Sequence, residues 1–297
     1  MASTLINDLK GGYQRGNLCM RFIYINVAVF IVCQLAEVIM RLFNQSLLPL
    51  FNLFEVPASI ATLLMQPWAL ITYMFMHGGV LHLLFNMLWL YSFGNLFLQA
   101  YSSNHFRGLY LLGGLGAALT YIVAYNIFPY FEGWVDHSYM LGASGAVLAI
   151  VTATAYRMPH FRVQLFLLGE MQLKYLAWIA VGIDLLLITS DNAGGHIAHI
   201  GGACTGLFFA WSLEKGRDLT RWILWIIGSI ESLFSPRKRK PEMRIIHGGK
   251  HESDYAYNAR KRENEEEIDR ILDKLKKSGY ENLTTEEKRK LFDASRR

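Results

Sequence analysis

The 297 residues are 53% hydrophobic and 13% aromatic but only 18% charged, where an ordinary soluble domain is about 25% charged. This composition excludes a disordered chain, a disulfide scaffold and a coiled-coil rod, and it points to a membrane protein with a soluble appendage. Residues 1–214 carry a net charge of −1 and residues 215–297 a net +6, so the basic balance belongs to the tail and is no nucleic-acid footprint.

Cys19, Cys33 and Cys204 form no even, spaced framework, and free thiols are expected. Residues 1–19 read as a polar cytoplasmic N-terminus. Residues 1–17 contain no apolar run of the signal-peptide kind, so the first long apolar run is expected to insert uncleaved. Six segments approach the length of about 20 residues that a membrane span needs: 20–41, 80–101, 106–128, 142–159, 173–190 and 196–214. The expected fold class is therefore an all-α membrane protein, with a six-helix bundle over residues 20–214. Segments four and six are rich in glycine and alanine. Gly145, Ala149 and Ala153 recur every fourth residue, as do Ala198, Gly202 and Gly206. Such small-residue faces let membrane helices approach closely, and the two are expected to pack on each other.

Lys and Arg alternate between the connections. Lys10, Arg15 and Arg21 precede the first span, Arg107 opens the third, and Arg157, Arg162 and Lys174 separate the fourth from the fifth. Lys215, Arg217 and Arg221 follow the sixth, while residues 44–78, 129–141 and 190–195 have none. The alternation places both termini in the cytoplasm. Arg41 is the misfit, and Glu37, one turn earlier, is its expected partner. The outer loop 44–78 is too apolar to sit in water and is expected to form short helices packed on the bundle.

Residues 215–234 are expected to form an interfacial amphipathic helix, with Trp222 and Trp225 at the headgroups. Residues 235–297 follow as a basic linker, opening with Arg237, Lys238, Arg239 and Lys240, and a small cytoplasmic helical hairpin. Helix is expected over 259–277, stopped by Ser278-Gly279. Thr284 and Glu287 match a capping box for a second, short helix. The partner of this tail is unknown.

Polar groups in a bilayer are costly and ask for a reason. Ser144 lies in Gly142-Ala143-Ser144-Gly145 at the start of span four, near a helix N-terminus that favours a developing oxyanion. His199 begins span six at a similar depth, by a rise of about 1.5 Å per residue, and can act as base towards a serine. His77, His82 and Asn86 follow the spacing H-x4-H-x3-N. His82 and Asn86 share a helix face and can donate to an oxyanion, or serve as interhelical hydrogen bonds. Asp184, in span five, can orient His199 or be a structural, hydrogen-bonded residue. His77, His82, His196 and His199 supply four imidazoles. They have no H-E-x-x-H and no carboxylate nearby in sequence, so neither metal nor other cofactor is expected.

With His77-x4-His82-x3-Asn86, Gly142-Ala143-Ser144-Gly145 and Ala198-His199-x2-Gly202-x3-Gly206 in that order, residues 20–214 resemble the rhomboid intramembrane serine proteases. The tail, with Lys276-Lys277-Ser278-Gly279-Tyr280 and Leu283-Thr284, resembles the appendage of rhomboids from the Bacteroides group. The resemblance implies Ser144 as nucleophile and His199 as general base. It implies an oxyanion hole of His82, Asn86 and the Ser144 N–H, supported by His77, Gly142, Gly145, Gly202 and Gly206. Substrates would be single-span transmembrane proteins, cut near the outer surface of a bacterial inner membrane without cofactor, metal or nucleic acid. Two positions depart from the family's pattern. Trp68-Ala69 stands where Trp-Arg is frequent, and Leu148 stands where an aromatic often stacks on the histidine.

Overall fold

A computed structural model describes residues 11, 13, 14, 16–165, 169–234 and 254–294. Lys10, Arg15 and the basic cluster at 237–240 lie outside the described residues. The chain divides into two compact units, Met1–Pro236 and Arg237–Arg297.

In the first unit, helices occur at all six apolar segments: α1 (Leu18–Leu42), α5 (Val80–Ala100), α6 (Ser103–Ile127), α7 (Ser144–Arg157), α8 (Leu173–Leu186) and α9 (Ala193–Glu214). Among the described residues, α1, α5 and α6 are long and apolar enough to cross a membrane. The other three are short or diluted by small residues. Asn17 caps α1 by accepting the Met20 N–H at 3.0 Å. Cys19, Phe22, Asn26 and Phe30 form the buried stripe of α1 at helical spacing, while Val32, Leu35 and Leu42 are exposed. Glu37 pairs with Arg41 at 2.7 Å, as the spacing predicts.

Between α1 and α5 run α2 (Leu48–Phe51), α3 (Ile60–Met65), α4 (Ala69–Thr72) and a 3-10 turn at Tyr73–Phe75. The apolar loop is thus a set of short helices, as expected. Side chains fasten it to its own backbone. Trp68 Nε1 donates to Leu53 O, Thr72 Oγ1 to Phe54 O, and Gln66 Nε2 to Asn52 O and Glu55 O. The segment around Trp68-Ala69 is therefore held without an arginine at position 69.

Strand β1 (Val56–Pro57) pairs antiparallel with β2 (Tyr139–Met140), with Val56 opposite Met140. A second hairpin, β3 (Arg162–Leu165) with β4 (Gly169–Gln172), joins α7 to α8. No structure is assigned to this segment from the sequence, where its basic residues serve only to set topology.

Helix α7 is the centre of the bundle. Its residues from Gly145 to Ala155 are all buried. The α7–α9 seam is built by close backbone approach. A Cβ on Gly202 would lie 2.1 Å from Gly145 O, and one on Gly206 would lie 2.1 Å from Ala149 O. The two small-residue faces therefore do meet each other. Thr152 Oγ1 donates across the seam to Ala203 O at 2.9 Å. Helix α10 (Arg221–Phe234) is amphipathic and closes the first unit, with Arg107 paired to Glu231 at 2.8 Å.

The second unit contains α11 (Asp254–Ser278) and α12 (Thr285–Ala294). The α11 helix starts earlier than the sequence suggests. The capping box is formed: Glu287 N–H donates to Thr284 Oγ1 at 3.3 Å, and Thr284 N–H to Glu287 Oε2 at 2.7 Å. With Lys274 beside it as well, the Glu287 carboxyl is held below its usual range.

Candidate active site

Ser144 is the first residue of α7, and its position is fixed by the segment that precedes it. Strand β2 is tied to β1, Ala58 N–H donates to Ser138 O, and Gly142 N–H donates to Tyr73 O at 3.0 Å. Tyr73 is itself anchored by its hydroxyl on Gly114 O at 2.7 Å. The chain then turns at Gly142, whose φ of +125° suits only glycine. A Cβ there would also lie 2.9 Å from His82 Nε2 and 3.7 Å from Ser144 Oγ. Those two groups thus flank one small space that only a glycine leaves open. At the α7 N-terminus the first backbone N–H groups have no intrahelical acceptor.

Ser144, His82, Asn86, Leu148, Asp184 and His199 line one cavity of about 640 Å³. The Gly78 N–H donates to His82 Nδ1 at 3.4 Å. An accepting Nδ1 leaves the proton of a neutral ring on Nε2, the atom facing Gly142. Asn86 Nδ2 donates to His82 O at 2.8 Å, and the amide has a second N–H for another acceptor. His77 packs edge-on against His82, with ring centroids 5.2 Å apart. Burial, and after it the His82 ring, pushes His77 from its usual 6.5 down to about 4, against a weaker upward pull from Phe75.

On the opposite wall, Asp184 Oδ1 lies 2.9 Å from His199 Nδ1 and 2.7 Å from His196 Nδ1. Of the two sequence readings of Asp184, the one in which it holds His199 matches this geometry. A carboxylate on Nδ1 fixes the proton there and leaves Nε2 with its lone pair. Ser144 Oγ and His199 share the cavity without a direct hydrogen bond, and such pairs often close only around substrate. Leu148 lines the cavity where an aromatic ring would stack, so the orientation of His199 rests on Asp184.

Two features escaped the sequence. His196 was not expected to be a partner of Asp184. The absence of a carboxylate near the histidines is corrected by the fold, because α8 and α9 reverse through residues 187–192 and bring Asp184 back beside both rings. No periodicity signals the contact: counted from Asp191 in that turn, Asp184 lies seven residues before it and His196 and His199 five and eight after it.

Comparison with known proteins identifies the family. The Rhomboid domain matches residues 64–216, more than half of the chain, and the chain belongs to the rhomboid family of integral membrane proteins. A family of unknown function (DUF6576) matches residues 252–297. The "Presenilin-associated rhomboid-like protein A, mitochondrial" of Danio rerio is 28% identical over 181 residues, covering 58% of this chain and 40% of that protein. The "RHOMBOID-like protein 12, mitochondrial" of Arabidopsis thaliana is 30% identical over 158 residues, covering 50% of this chain and 47% of its own length. The "Rhomboid protease GlpG" of Haemophilus influenzae is 27% identical over 154 residues, covering 51% of this chain and 72% of that protein. The chain thus spans less than half the length of the first two relatives.

Proposed function

We propose that the chain is an intramembrane serine endopeptidase that hydrolyses peptide bonds in or near the transmembrane segments of single-span membrane proteins. The observation that carries this reading is the convergence of Ser144, His82, Asn86 and a carboxylate-held His199 on one cavity. Ser144 is the nucleophile and His199 the general base. Ser144 Oγ gives its proton to His199 Nε2 as it attacks the scissile carbonyl carbon, and the carbonyl electron pair moves onto oxygen. The oxyanion takes hydrogen bonds from His82 Nε2–H, Asn86 Nδ2–H and the Ser144 N–H. One such donor is worth roughly 10²–10³ in kcat. The C–N bond then breaks, and His199 returns the proton to the leaving amine. Water enters, loses a proton to His199 and attacks the ester carbonyl; the bond to Ser144 Oγ breaks and His199 returns the proton to Oγ. Asp184 is a positioning residue that keeps the Nδ1 proton in place. His77 supports the His82 ring. Gly142 and Gly145, with Gly202 and Gly206, keep the two helices close enough for the serine and the histidine to share a cavity.

In this reading all six helices cross the bilayer, both termini are cytoplasmic, and the cavity opens on the outer side of a bacterial inner membrane. Helical backbone amides are already satisfied, so a substrate helix has to unwind before it is cut. The word "protease" in the names of the Haemophilus influenzae relative and of the Bacillus subtilis "Rhomboid protease GluP" supports the reading. The test uses purified protein beside Ser144→Ala and His199→Ala, a fluorophosphonate probe and a tagged single-span substrate. Labelling lost in Ser144→Ala and cleavage lost in both variants is the expected result. A folded protein that neither labels nor cleaves would replace the enzyme by a rhomboid-like membrane chaperone.

A further inference from the structure

The contacts of Asp184 have a second use. Asp184, His196 and His199 each offer one ligand atom, and these atoms lie within 4.8 Å of one another. The two histidines are three residues apart on one face of α9, and the carboxylate comes from α8. Two imidazoles and one carboxylate, with a position left open, are the donor set of a zinc site whose fourth ligand is water. The open position has somewhere to face, since Asp184 and His199 both line the cavity. The three side chains are partly or largely enclosed, with relative exposures of 9% for Asp184, 15% for His196 and 24% for His199.

The geometry is close to what an ion needs. Metal–ligand bonds of about 2.0–2.2 Å in a tetrahedron put ligand atoms roughly 3.3–3.5 Å apart. The N–O separations here are 2.7 and 2.9 Å. Small side-chain rotations open that gap, because the residues sit on two separate helices. An imidazole that binds an ion through Nδ1 carries its proton on Nε2.

We propose that Asp184, His196 and His199 form a binding site for a divalent transition-metal ion of the zinc type, and that the bound ion switches the active site off. The inhibitory half of this rests on the protease reading; the binding half does not. An ion on His199 Nδ1 leaves Nε2 as N–H, a state in which His199 cannot take a proton from Ser144. The ion therefore competes with catalysis through the tautomer, without entering the oxyanion hole.

The experiment uses the tag-free full chain in detergent micelles, stripped with a chelator. Co²⁺ is titrated while the visible bands of its tetrahedral complexes are followed, and Zn²⁺ is titrated by calorimetry. Wild type, His196→Gln and Asp184→Asn are compared. Fluorophosphonate labelling of each is then measured with and without Zn²⁺ and reported as a ratio within each variant. The expected result is one ion per chain in wild type and affinity at least about tenfold weaker in both variants. Zn²⁺ should suppress labelling in wild type, reversed by chelator, with little suppression in His196→Gln. Equal affinity in all three proteins overturns the site. Binding that follows the three residues but leaves labelling untouched overturns the switch. A chain that binds the ion as expected yet never labels, with or without it, keeps the metal site and defeats the protease reading instead.

Discussion

In the unit Met1–Pro236, helices α7 and α9 meet through Gly145, Ala149, Gly202 and Gly206, with backbone against backbone. In the unit Arg237–Arg297, α11 and α12 are joined by Lys274–Glu287 and Lys290–Glu267 pairs at 2.9 and 2.6 Å. Under the proposed six-span reading, the solvent explains the difference. Lipid is as apolar as leucine, so large side chains gain nothing by leaving it, and helix association depends on close fit. The α7–α9 seam accordingly is built of small residues, while residues such as Leu186 (83% exposed) and Leu42 (77%) lie on the outside of the bundle. In water the same two jobs, holding a helix and stopping it, fall to caps and charges. Exposed ion pairs are worth only about 0–1 kcal/mol each.

The contrast is broken most severely at the seam. Gly202→Leu places a side chain where Gly145 O already sits, with no flexible neighbour to yield. The bundle is expected not to assemble, and size-exclusion chromatography in detergent should show aggregate in place of monodisperse protein. A product that elutes and melts like wild type would mean that the seam is not close-packed.

Asp184→Asn keeps the volume and the fold but replaces the carboxylate that both histidines share. An activity loss of about 10–100-fold is expected, from kcat with KM little changed, together with an altered pH–rate profile. A loss confined to KM would sink the positioning role.

Buried titratable groups give the first unit a pH dependence of its own. Unfolded His77 takes up a proton near its usual 6.5, whereas the folded residue resists until about 4. The unfolded state therefore binds more protons in that window, and stability falls as pH drops through it. His77→Gln should flatten the slope, read from melting temperatures across pH 6.5 to 4. Glu55 slopes the other way. Burial pushes its carboxyl up to about 7, so the folded state holds the proton and stability is lost as pH rises through 7. Glu55→Gln is the matching control. The smallest effect belongs to the tail, where Thr284→Ala removes one half of the capping box. It should cost α12 about 1 kcal/mol, visible as reduced helicity on heating the full chain, with bundle melting unaffected.

The sequence was most informative where a residue's type conflicted with its surroundings. The polar positions Ser144, His82, Asn86 and His199 stood out against apolar neighbours, and the structure brings them to one cavity. The small-residue seam was legible because glycine and alanine recur every fourth residue. The β3–β4 hairpin was not legible, since its alternation is short and polar. The shared contact of Asp184 with His196 and His199 was hidden for another reason. It depends on how two helices reverse, and a turn's geometry is not carried by the periodicity on either side of it.

Helix α7 has one more implication. It is 14 residues long, largely alanine, valine and threonine, and enclosed from Gly145 to Ala155. Such a helix has little surface of its own to expose, and its place in the fold depends on neighbours. One of them, α6, is already made when α7 leaves the ribosome, but α9 is not. The helix that begins with Ser144 therefore waits for a partner whose synthesis ends some 57 residues after its own, several seconds at about 5–20 residues per second. Whatever this chain does with Ser144, it acquires the means late in its own biogenesis, after nearly all of its membrane part exists.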